Sequence, residues 1–119
     1  MKYLIPLVLA LMATSAEARS WQSDYPSCNV TQQRHLKSGS AKTAMKDHIS
    51  MRANILQADI GTASKARPIT KQQSQRLWNR VDAIRKASDR LAARQGFLSA
   101  AERASYDRQL DTVALQLCK

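Results

Sequence analysis

Few residues in this chain have the types and spacing that could do chemistry, and the first group lies in the stretch QGFLSAAE, Gln95 to Glu102. A glycine, an apolar residue two places on, a serine and then a glutamate match the back half of a calcium loop. Setting Gly96 at the sixth loop position puts Leu91, Ala93 and Gln95 at the first, third and fifth, where the ion needs oxygen ligands. Two of those are hydrocarbon, so calcium is not expected there. The same letters form a capping box: the Ser99 hydroxyl accepts from the amide three residues on, and the Glu102 carboxylate returns to the Ser99 amide. That accounts for the residues without a metal.

The other chemistry-bearing types are scattered. His35 and His48 lack the i, i+4 spacing of a metal pair and have no cysteine beside them, so both read as surface or half-buried side chains. There is no G-x-S-x-G, no H-E-x-x-H and no phosphate-cradling loop in a chain with three glycines. Paired carboxylates stay open: Asp82 and Asp111 occupy comparable places but could simply balance nearby arginines. The expectation is a protein with no catalytic residues, no metal and no cofactor.

Cys28 and Cys118 are the two cysteines, and with no C-x-x-C pattern they read as a structural disulfide. That fits an exported chain. The first eighteen residues, MKYLIPLVLALMATSAEA, have a lysine, a short apolar run and an A-x-A site ending at Ala18, the pattern of a cleaved signal peptide. The expected location is the periplasm or the exterior, with no integral membrane segment left after cleavage. The remaining 19–119 read as one small domain.

Charge is the strongest compositional signal. Lysine and arginine number 19 against 9 acids, a formal charge of +10. Such a field attracts an acidic protein or a polyanionic component of the envelope. The candidate contact residues are Arg76, Arg80, Lys86, Arg90 and Arg94, which share one side of a helix starting at Thr70. Leu77, Val81, Ile84, Ser88 and Leu91 take the opposite side, and Asp82 and Asp89 run along one edge. The plainer reading is a solvated face partly neutralised by an Asp82–Lys86 pair at i, i+4. Met45, Met51, Ile55 and Trp78 either pack in the core or line an apolar groove.

These side chains need elements to hold them. Residues 19–40 read as an extended arm with a short helix over Thr31–Lys37, ended by Ser38-Gly39-Ser40. Met45, Ile49, Ala53, Leu56 and Ile60 recur at helical spacing and predict a helix over 41–64. A second is predicted over 70–95, stopped by Gly96, and a third over 99–118, with Tyr106, Leu110, Val113 and Leu117 inward and Cys118 at its end. No strand-like alternation occurs. The fold class is therefore all-α, a small antiparallel bundle of three or four helices stapled by one disulfide.

The last two helices look like two copies of one unit. ITKQQSQRLWNRVDAI from Ile69 aligns with LSAAERASYDRQLDTV from Leu98, each opening with a T-x-x-Q or S-x-x-E box. Asp82 aligns with Asp111. The stretch Ile69 to Leu117 resembles a group of small exported helical proteins of Gram-negative bacteria, uncharacterised in function. In that group LT-x-x-E opens one helix and DG-x-LS-x-x-E-R the next, where this chain has ITKQQ and QGFLSAAER, with Gln95 in place of the loop aspartate. The near matches ITKQQ and LSAAE are also similar to the L-T-x-x-Q motifs of the Spy/CpxP class of periplasmic chaperones, which implies a basic, helical, dimeric chaperone. Those chaperones lack a terminal cysteine pair. Three functions stay open from sequence: an electrostatic binding module, a chaperone of that kind that admits a homodimer, and an immunity or inhibitor protein of a toxin or cell-wall enzyme.

Overall fold

The last two long helices each start where a side chain takes up amides that the first turn leaves without partners. In the computed structural model the described residues are 25–37, 40, 43–66 and 68–119. The expected leader over 1–18, the arm residues 19–24 with Trp21, and Ser38, Gly39, Ala41, Lys42 and Arg67 lie outside them. The described chain is all-helical: a 3-10 turn over Pro26–Cys28, then α1 Val30–Arg34, α2 Ala44–Ala66, α3 Lys71–Gln95 and α4 Ala100–Leu117. Thr70 caps α3, its hydroxyl accepting from the Gln73 amide at 3.0 Å. Ser99 caps α4 with the full box, Glu102 N donating to its hydroxyl at 3.1 Å and Ser99 N to the Glu102 carboxylate at 3.0 Å. The upstream copy makes only the hydroxyl half.

Gly96 terminates α3 in the left-handed region at φ 82°, and its amide closes on Ala92 O at 2.8 Å. A methyl group there would meet nothing within 4 Å, so the penalty for a side chain is conformational and not steric. Gly96→Ala is expected to destabilise by about 1 kcal/mol. A denaturant titration checks this, and an unchanged midpoint would contradict it.

Cys28 and Cys118 form a disulfide with their Cα atoms 5.8 Å apart, linking the 3-10 turn to the end of α4 across a sequence separation of 90. The segment beside it is not the extended arm the sequence suggests. Pro26 sets its own φ at the start of a turn, Cys28 N closes on Tyr25 O at 2.9 Å, and Tyr25 is 7% exposed. Asn29 N closes in turn on Pro26 O at 3.1 Å, so two internal acceptors replace extension. α1 is also displaced from the expected Thr31–Lys37: the Asn29 side chain accepts from Gln32 N at 3.0 Å and starts the helix at Val30.

α2 touches α3, α4 and the 3-10 turn, and this central position explains why so much of its circumference is covered. Ile49, Ala53, Leu56, Ile60 and Ala63 form its apolar stripe and are at most 2% exposed. Leu77, Val81 and Ile84 of α3 and Leu110, Val113 and Leu117 of α4 meet them in one core, closed at the ends by Tyr25, Ile69 and Leu98. Burial of each large aliphatic side chain contributes roughly 1.5–3 kcal/mol. Cross-helix polar contacts add register. Ser50 reaches Asp89 at 3.5 Å, Arg85 donates to Asn54 at 2.6 Å and to Gln57 at 2.9 Å, and the Gln57 amide reaches Trp78 O at 3.5 Å. Among the described residues no helix is long and apolar enough to cross a membrane.

Candidate functional site

A second stripe on α2, beside the apolar one, carries buried polar groups: His48 and Arg52, each 2% exposed, and Asp59. His48 is thus neither a surface nor a half-buried side chain, which corrects the sequence expectation. Its Nδ1 lies 2.7 Å from Leu36 O and its Nε2 lies 2.8 Å from the Asp107 carboxylate. Each ring nitrogen thus faces one oxygen. Arg103 Nη2 also lies 3.3 Å from Nδ1, but it donates to Arg34 O at 2.6 Å and needs nothing from the ring.

Arg52 sits at the centre. Its Nη1 donates to the Asp107 carbonyl at 3.0 Å and carboxylate at 2.9 Å, and its Nη2 donates to Asp111 at 2.5 Å. The other Asp111 oxygen accepts from Arg34, through Nε at 3.0 Å and through Nη2. Four elements meet here: the network ties α1 and the Leu36 segment to α2 and α4. Nearby, the Ser27 amide and hydroxyl both donate to buried Asp59, fixing the 3-10 turn to α2.

Burial pushes the Asp107 carboxyl up, yet hydrogen bonds from His48 and Arg52, with their charges, outweigh it and hold the group below the ordinary carboxylate range. A folded-state value below the unfolded one contributes stability that is present above about pH 4 and is lost as pH falls through the folded-state value. Unfolding midpoints are therefore expected to hold from pH 7 to 5 and to drop toward pH 3, with a smaller drop in Asp107→Asn. Equal acid sensitivity of the two proteins would contradict this assignment.

The five candidate cations do not behave as one set. Arg76, Arg80, Arg90 and Arg94 are exposed and, among the described residues, make no ion pair. Lys86 is exposed too, but its amine meets Asp82 at 2.9 Å, as the i, i+4 spacing suggests. Arg85, not singled out by the spacing, bridges α3 to α2 through Asn54, Gln57 and Asp82. Hydrogen bonds from Lys86 and then Arg85 hold the Asp82 carboxyl below its ordinary range. Glu102 is lowered likewise by the Gln95 amide and then by the Ser99 amide.

Charge is thereby sorted by sign. Asp59, Asp107 and Asp111 are buried, Asp82 holds two cations and Glu102 closes a cap, while four arginines of α3 face water. The Asp82–Asp111 equivalence of the two repeat units ends here as well. Asp111 is buried between two guanidiniums and Asp82 stays at the helix edge. Met45, Met51 and Ile55 are half-buried, with Met45 packed against the core, and Trp78 is 40% exposed. No protein-family model, curated protein or solved structure matches this chain.

Proposed function

We propose that this is a non-enzymatic, exported binding module whose α3 face, through Arg76, Arg80, Arg90 and Arg94, engages an acidic protein or a polyanion of the envelope. The single observation that carries the reading is the sorting of charge. Asp59, Asp107 and Asp111 are taken inward, Asp82 and Glu102 are committed to other partners, and no described carboxylate, half-buried Asp47 and Asp89 included, pairs with Arg76, Arg80, Arg90 or Arg94, which leaves them as unpaired forks suited to carboxylates and phosphates. A face that is merely solvated would be expected to carry interspersed acids.

The same reading takes α2, α3 and α4 as an up-down-up bundle. Ser50 meets Asp89, Asn54 meets Arg85, and Gln57 meets both Arg85 and Trp78, so numbers rise on α2 as they fall on α3. His48 meets Asp107 and Arg52 meets Asp111, so α4 rises with α2. Catalysis is disfavoured because both nitrogens of His48 and both inner carboxylates are engaged by structural partners. Export is supported by the leader pattern and by the disulfide.

Titration against polyglutamate at low and high salt tests the proposal. Electrostatic engagement falls away steeply as added salt shortens the screening length. Affinity unchanged between the two salts would contradict it. The chaperone reading draws on exposed Trp78, Phe97 and Leu115; suppression of aggregation of an unrelated unfolded protein, insensitive to salt, would favour it instead.

A further inference from the structure

Three open clefts run together around the start of α3. One of about 660 Å³ has Lys65, Lys71 and Gln73 on its walls. The next, about 220 Å³, shares Ile69 and Gln73 with it and adds Gln116 and Lys119. The last, about 240 Å³, shares Gln73 and Gln116 and ends at Arg76 and Arg80. Among the described residues no acidic side chain lines any of the three. The cleft at the other end of α3 differs, because there Asp89 stands in the same wall as Lys46.

The middle of this groove is neither bare charge nor bare hydrocarbon. Gln73 and Gln116 are half-buried, and their side-chain amides make no hydrogen bond among the described residues. Each amide offers donors and an acceptor. A phosphate or sulfate chain is a set of acceptors and would leave the amide oxygens unmatched, whereas a peptide backbone supplies both partners. Pro68, Ile69, Leu77 and Leu117 add an apolar lining that a polyphosphate cannot use.

We infer that this groove binds an extended acidic peptide segment of a partner protein, its backbone crossing Gln73 and Gln116 and its carboxylates meeting Arg76 and Arg80 at one end and Lys65 and Lys71 at the other. The inference rests on the reading of α3 as an anion-binding face and narrows it to the α3 N-terminal half.

Fluorescence anisotropy of the oxidised protein tests it, with a short labelled peptide alternating glutamate and leucine as one probe and labelled inorganic polyphosphate as the other. Three pairs of exposed or half-buried residues are replaced: Gln73→Ala with Gln116→Ala, Arg76→Gln with Arg80→Gln, and Arg90→Gln with Arg94→Gln. Each of the first two pairs is expected to weaken the peptide about tenfold, and the third by less than about threefold. The glutamine pair should leave polyphosphate binding unchanged. Equal weakening of the peptide by both arginine pairs, or none by the glutamine pair, overturns the groove. If polyphosphate binds in a salt-dependent way and the peptide does not, the groove inference falls and the α3 reading stands. If neither probe binds, both fall.

Discussion

Serine at both Cys28 and Cys118 is expected to lower the unfolding free energy by about 4–5 kcal/mol, the value the chain-entropy treatment assigns to a closed loop of this length. The bridge joins residues 90 apart and pins the 3-10 turn to the residue that follows α4. Small domains are stable by roughly 5–15 kcal/mol, so a loss of that size removes a large share of the margin. The core offers little compensation, since Ala53, Ala63, Ala92 and Ala114 occupy core positions that larger side chains fill in other domains. Guanidinium titrations of the oxidised, reduced and double-serine proteins measure the effect. A shift below about 1 kcal/mol would mean that packing alone holds the ends.

Arg52→Ala is the second large effect, expected to cost about 3–5 kcal/mol. The reason is what remains. Asp107 and Asp111 would stay in the interior, 6% and 8% exposed, without the guanidinium that serves both carboxylates and the Asp107 carbonyl. His48 and Arg34 would each keep only one of them. Arg34→Ala makes the contrast: that side chain is 52% exposed, so its loss is expected to shift the midpoint only slightly although it contacts the same Asp111. Chemical denaturation of both variants checks the pair. Equal destabilisation would show that burial of Arg52 is not what matters, and no destabilisation by Arg52→Ala would contradict the network as a structural tie.

What could be read from the sequence was local or forced. Thr70, Gly96 and Ser99 act through the backbone within four residues, so the caps stand in the letters themselves. The apolar stripe of α2 is periodic and contiguous, which makes Ile49 to Ile60 legible as one face. The disulfide follows because two cysteines allow one pairing.

The ion network had no such signature. His48 and Asp107 are 59 residues apart, and nothing in the spacing of α2 selects the aspartate it meets on α4. One signal was present: His48, Arg52 and Asp59 recur at helical spacing beside the apolar stripe, which marks a flank that a neighbouring helix can cover. The basic face was legible as a face, and the engagement of Lys86 by Asp82 could be read from the i, i+4 spacing. That Arg85 is a structural bridge depends on where α2 lies, and a wheel of α3 alone does not contain α2.

The most direct test of the central claim is the salt dependence of polyglutamate binding by the native protein and by a variant carrying Arg76→Gln, Arg80→Gln, Arg90→Gln and Arg94→Gln together. All four side chains are exposed, so helix content and thermal midpoint should be retained. The account predicts that the native protein binds with a steep fall in affinity as salt rises, and that the variant binds more weakly with a clearly shallower slope. A variant that binds as tightly as the native protein, with the same slope, would contradict it.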